Sequence, residues 1–176
     1  YKKGIKMDGK NPAYVYGYGA YGTTSFAGFN SDYLQMANRG VVIVISHVRG
    51  GGEKGRMWHL AGQKQNKPNT WKDFNSTAEY LISRGFTSPN HLACEGGSAG
   101  GILIGRAITE RPDLWACAVP QVGVLSVMRQ EFTPNGSINA PEYGSMNNIN
   151  HFFGLMEMDA TLHVQYGIKY PAMLIT

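Results

Sequence analysis

Apolar and polar positions along the chain fall into two alternating kinds of run. Residues 13–16, 41–45, 91–94, 115–119 and 171–176 are short and apolar, with the length of strands. The run Val41-Val42-Ile43-Val44-Ile45 shows no polar alternation, which predicts a strand buried on both faces, as in a parallel sheet covered by helices. Residues 171–176 read as the start of one more central strand. Between these runs the apolar residues take helical spacing. Ser31 or Asp32 can cap a helix through Tyr33, Leu34, Met36 and Ala37 that Gly40 ends. Thr70 with Asp73 resembles a capping box, and Trp71, Phe74, Ala78, Leu81 and Ile82 make one apolar face that Gly85 closes. Ile102-Leu103-Ile104 with Ala107-Ile108 supplies a further helix, stopped at Arg111-Pro112. Strand, helix and strand in repeated succession is the signature of right-handed parallel crossovers, so the predicted fold class is α/β, a mostly parallel sheet with helices on both faces.

Two stretches break this rhythm. The loop from His47 to about residue 69 is too long for an ordinary connector and holds His47 and His59, which read as structural donors. Residues 125–170 are the least regular part, with a helix expected over about 148–156, and read as an excursion over one edge of the sheet.

The chemistry concentrates at Gly96-Gly97-Ser98-Ala99-Gly100, which matches Gly-x-Ser-x-Gly with a strand-like run before it and a helix-like run after it. That context predicts a nucleophile elbow with Ser98 exposed at the carboxyl end of the sheet; the bland alternative is a glycine-rich turn whose serine caps the next helix. A serine hydroxyl is a weak nucleophile alone, so it needs a base to take its proton and donors to hold the developing oxyanion. In chains with this elbow the acid and then the base follow the serine. Downstream carboxylates are Glu142, Glu157 and Asp159, and downstream histidines are His151 and His163. Asp159 and His163 follow in the right order and would share a face if their segment were helical. They precede the last strand, however, whereas the elbow architecture delivers its acid after a later one, so the acid and base are expected beyond Thr176 in a longer protein.

Composition narrows the function classes. A chain of 176 residues with 43% hydrophobic and 16% charged residues suits one domain with a real core. The net charge of +4 is scattered apart from Lys2-Lys3-Lys6 and Lys64-Lys67, which argues against a nucleic-acid surface. Cys94 and Cys117 lie in two apolar runs expected to be neighbouring strands and read as small hydrophobes, with no disulfide framework, metal site or cofactor suggested. No run has the length of a membrane span and no leader opens the chain, so no membrane partner is expected; the compartment stays open between cytoplasm and periplasm. A sheet cut short leaves an unpaired strand, so self-association through that edge is also expected.

With these motifs placed, the chain resembles the catalytic domain of the prolyl oligopeptidase family of serine peptidases. The resemblance rests on Tyr16-Gly17-Tyr18-Gly19, Arg49-Gly50-Gly51-Gly52-Glu53, Trp58-His59, Asp73-Phe74, Gly96-Gly97-Ser98, Arg111-Pro112-Asp113-Leu114, Gln121-Val122-Gly123-Val124 and Glu142-Tyr143-Gly144. It implies an α/β-hydrolase domain, here a single incomplete domain over 1–176 without the family's β-propeller. It implies Ser98 as nucleophile, with the Tyr18 phenol and the Ala99 backbone N–H as oxyanion donors. Tyr21, Val124 and Tyr143 fall where members line the pocket for the residue before the scissile bond. The aromatic residue that stacks on proline would fall near Ile138 or Asn139, and neither is aromatic. The implied activity is cleavage of short peptides through an acyl-enzyme on Ser98, the isolated chain being inactive without its acid and base. The alternatives are an esterase on the same fold and a non-catalytic binding or scaffold relative.

Overall fold

The structure is a computed structural model that describes residues 1–26, 28–134 and 136–176. Strand β1 (Ala13–Tyr16) is followed by helix α1 (Ser31–Asn38) and strand β2 (Val42–Ile45). Short helix α2 (Arg56–Leu60) and long helix α3 (Pro68–Ser83) come next, then β3 (Leu92–Gly97), α4 (Gly100–Glu110) and β4 (Cys117–Gln121). The remainder holds α5 (Val127–Gln130), α6 (Ala140–Tyr143), α7 (Ile149–Met158) and β5 (Ala172–Met173). Among the described residues the strands form one parallel sheet in the order β2-β1-β3-β4-β5. The chain steps one way from β1 to β2 and the other way from β2 through β3 to β4. Right-handed crossovers then put α1 on one face and both α3 and α4 on the other.

The second face is where most of the core lies. Val15, Cys94 and Ala118 stand in register across β1, β3 and β4, and each is fully buried. Residues 100–108 of α4 are buried throughout, as expected of a helix that is apolar nearly all round. The polar exception, Arg106, donates from Nε to the Glu157 carbonyl at 2.6 Å and lies over the Trp71 ring, 4.8 Å from its centroid. From α3, Phe74 stacks on Trp115 with ring centroids 5.1 Å apart.

Several sequence expectations shift. The run 41–45 is not enclosed on both faces: β2 is the outer strand beside β1, and of its residues only Val42 is buried. The cap of α1 is Asn30, whose Oδ1 accepts from the N–H groups of Asp32 and Tyr33; Ser31 and Asp32 are the first helical residues instead. Thr70 and Asp73 do not cap α3, which starts at Pro68. Both reach the loop after β2: Thr70 Oγ1 donates to the Arg49 carbonyl, and the Asp73 carboxylate accepts from Arg49 N, Nε and Nη2. β3 starts after His91, which sits in a 3₁₀ turn, and runs on to Gly97. β4 is displaced to Cys117–Gln121 because Trp115 turns into the core to meet Phe74. In the run 171–176 two residues pair, along β4, and they are exposed, so among the described residues β5 is an edge rather than a central strand. The long loop after β2 is shortened by α2 and by the 3₁₀ turn Lys64–Asn66. Lys67, one of the grouped lysines noted above, is fully buried. Cys94 and Cys117 are free thiols on adjacent strands. Among the described residues no helix is long and apolar enough to cross a membrane.

Candidate active site

Parallel strands deliver the loops after β1, β3 and β4 to one edge of the sheet. The loop after β3 is a single sharp turn. Ser98 is exposed there, between half-buried Gly97 and buried Ala99, with φ at 53°. A non-glycine residue in that region stores on the order of 1–3 kcal/mol of strain. Backbone bonds hold it in place: Ser98 N donates to the Gln121 carbonyl at 2.9 Å, and the Ser98 carbonyl accepts from Gly101 N at 2.9 Å and Val124 N at 3.0 Å. The start of α4 presses against the loop after β4 so closely that a Cβ on Gly101 would lie 2.4 Å from the Gly123 Cα.

Tyr18 reaches the same rim from β1. Gly17 N donates to the Glu95 carbonyl at 3.1 Å, which keeps the loop after β1 beside the end of β3. A Cβ on Gly100 would lie 3.5 Å from both Cα and Cδ2 of Tyr18, so this tyrosine rests on the first turn of α4, next to Ala99. Burial, with Tyr21, Tyr16 and Glu142 nearby, pushes the Tyr18 phenol above its ordinary value. At neutral pH it therefore keeps its proton and can donate. The Ala99 N–H opens α4, where the first N–H groups have no partner inside the helix. The structure thus brings Tyr18 to the helix start that follows Ser98 and Ala99.

The residues expected to line a pocket are partly assembled. Tyr21 packs edge-on against buried Tyr143 with ring centroids 5.6 Å apart, and its hydroxyl donates to Asn139 Oδ1 at 2.7 Å. Ile138 points to solvent, 74% exposed, so of the two positions near the missing aromatic it is Asn139 that meets Tyr21. Val124 is half-buried and tied to the elbow through its N–H.

The in-chain acids and bases have other work. Asp159 ends α7, and its carboxylate accepts from Ser126 Oγ, Met128 N and Thr161 N; the helical face that would have paired it with His163 is a 3₁₀ turn. His163 meets the Asp159 carbonyl oxygen through Nδ1, 2.9 Å away. His151 Nδ1 accepts from Ser145 N, and His47 meets the Ser25 carbonyl. Glu142 is buried and accepts from Tyr21 N at 2.9 Å and Gln63 Nε2 at 3.2 Å, with His59 Nε2 at 2.7 Å and Lys67 Nζ at 3.7 Å. Sequence reasoning named Glu142 and His59 separately and missed that they form one cluster around Lys67. Their shared place in the motif runs Trp58-His59 and Glu142-Tyr143-Gly144 was the available signal.

Residues 27–176 match the model of the prolyl oligopeptidase family. The chain belongs to that family. Among prolyl oligopeptidase relatives, the prolyl endopeptidase of Elizabethkingia meningoseptica is 37% identical over 176 residues, which is 99% of this chain and 25% of the relative. A solved prolyl endopeptidase superposes with a TM-score of 0.97 at 38% identity, over 99% of this chain and 26% of that one. Oligopeptidase B from Trypanosoma brucei, solved with covalently bound antipain, gives 0.94 at 38% identity, over 99% and 25%. The chain spans about a quarter of the length of the curated relatives it matches, 25% for the bacterial one. Its fold is the α/β-hydrolase fold of these prolyl oligopeptidases, represented by the strands and helices described above.

Proposed function

We propose that the full-length protein is a serine peptidase acting on short peptides by acyl transfer, and that Ser98 is its nucleophile. The observation that carries this reading is the exposed Ser98 on a strained turn beside Tyr18 and Ala99, in a member of a peptidase family. Ser98 Oγ attacks the peptide carbonyl carbon and gives its proton to a base as the C–O bond forms. The carbonyl electron pair moves to oxygen, where the Tyr18 phenol and the Ala99 N–H hold it. The C–N bond then breaks, the base returns the proton to the departing amine, and water hydrolyses the acyl ester by the reverse sequence. Relatives about four times as long leave room for the acid and base outside residues 1–176, since this chain matches 25% of one of them. The solved oligopeptidase B carries its antipain covalently, which supports the same chemistry here.

Tyr21, Tyr143 and Val124 are assigned to the pocket for the residue before the scissile bond. With Asn139 bonded to the Tyr21 hydroxyl, that pocket has a polar wall where an aromatic platform for proline would otherwise stand. Treating the full-length protein with a fluorophosphonate tests the nucleophile. One label on Ser98, lost in Ser98→Ala, is the expected result; no labelling of the wild-type protein overturns the assignment. Comparing a proline-containing peptide with a short acyl ester then separates a peptidase from an esterase, with peptide cleavage expected.

A further inference from the structure

A lysine with no solvent exposure requires an explanation, because burying an ammonium is costly unless it is paired. Lys67 Nζ donates to the Gly19 carbonyl at 2.7 Å, stands 3.7 Å from Glu142 Oε1 and lies 5.7 Å from the centroid of the Tyr143 ring. Gly19 is the residue after Tyr18. Two residues further on, Glu142 accepts the backbone N–H of Tyr21 at 2.9 Å. The loop from Tyr18 to Tyr21 is thereby gripped at two peptide groups by opposite charges that also grip each other. Its conformation requires such a grip: Gly19 has φ +66° and Tyr21 φ 56°. Gly19 is also wedged in, since a Cβ there would lie 2.4 Å from Thr70 Cγ2 and 2.6 Å from Val48 Cγ2.

We propose that Lys67 and Glu142 are positioning residues for the reaction, an ion-paired clamp that sets the Tyr18 phenol over the elbow and the Tyr21 ring in the pocket. The inference rests on the serine-peptidase reading above. Neither residue touches the reacting atoms; both act through the loop. Other groups facing the clamp are His59 and Gln63 on Glu142, and Tyr18, Tyr21 and Tyr143 around the pair.

The clamp has a pH signature. Burial lowers the Lys67 ammonium from its ordinary 10.5 to about 8, against the opposing pull of Glu142. Above about 8 the folded protein has released this proton while the unfolded chain keeps it up to about 10.5, so this titration raises global stability with pH. Activity should move the other way, because the clamp loses its charge. Loss of activity together with intact structure is not what a merely structural lysine would give.

The experiment measures kcat and KM of the full-length protein against pH, with each sample's active fraction set by fluorophosphonate labelling of Ser98. In the wild type, kcat is expected to fall across about pH 8 while circular dichroism holds and the Lys67 contribution to stability rises. A kcat flat from neutrality to about 10.5, across the whole window in which folded Lys67 has lost its proton and unfolded Lys67 has not, overturns the proposal with no variant needed. Glu142→Gln removes the charge that helps Lys67 hold its proton, so the alkaline limb should move to lower pH. Lys67→Met should lower kcat at least about tenfold, with a smaller rise in KM from the loosened Tyr21 ring, the kcat loss being part of the roughly 100- to 1,000-fold that loss of one oxyanion donor costs. An unmoved limb in Glu142→Gln, or wild-type turnover in folded Lys67→Met, also overturns it. Failure of the wild type to label at all would instead strike the serine-peptidase reading itself, so the two failures are told apart.

Discussion

Ser98 and its neighbours show how much a few residues can specify. The elbow was legible because its requirements are local: a strand, a tight turn and a helix within one short stretch, with glycines where backbones must touch. Gly101 illustrates the tolerance. Gly101→Ala would put a methyl group 2.4 Å from the Gly123 Cα, against main chain that cannot rotate away. The substitution is expected to cost about 1–3 kcal/mol, read in urea melts, and to slow fluorophosphonate labelling of Ser98 by displacing its turn. Tyr21→Phe tests the pocket wall, since it deletes the hydroxyl that makes the 2.7 Å bond to Asn139. A loss of about 0.5–1.5 kcal/mol in substrate binding is expected, seen as a raised KM for peptides with unchanged kcat. Lys67 was not legible, because a lysine between asparagine and proline carries no local mark of burial. Its partner Glu142 bonds a backbone group 121 positions away in sequence, and only the fold brings such groups together.

Helices and strands were readable wherever the apolar period was strong, and misread where a polar residue served a distant partner. The apolar face of α3 was predicted from Trp71, Phe74, Ala78, Leu81 and Ile82; the first four are buried and Ile82 is half-buried. Phe74→Ala removes a ring stacked on Trp115 and pressed between α3 and the sheet, so a loss of about 3–5 kcal/mol is expected in thermal or urea melts. Thr70 and Asp73 imitate a capping box by spacing, yet both serve Arg49 in the loop after β2. Sequence spacing cannot distinguish a side chain that caps its own helix from one that ties down a neighbouring loop. The cap of α1 was missed by one position for a related reason: Asn30, Ser31 and Asp32 all have capping chemistry, and only Asn30 takes the extended backbone that a cap needs.

At the scale of the whole molecule, the alternation of strand and helix predicted the parallel α/β architecture, while the order of strands became visible only in three dimensions. Among the described residues β5 lies outermost beside β4, with Met173 on it and Leu174 and Ile175 after it exposed. Such an edge invites pairing with a second copy. Residues 1–176 expressed alone are expected to sediment as dimers or larger species, with Leu174→Lys shifting them toward monomer; a monodisperse monomer would contradict this. At the carboxyl ends of the strands, Glu142 grips the peptide nitrogen of Tyr21 while the ring packs against Tyr143. An engineer could therefore retool the recognition proposed above by exchanging the aromatic group at position 21, because the main chain carrying it is fastened through its peptide nitrogen.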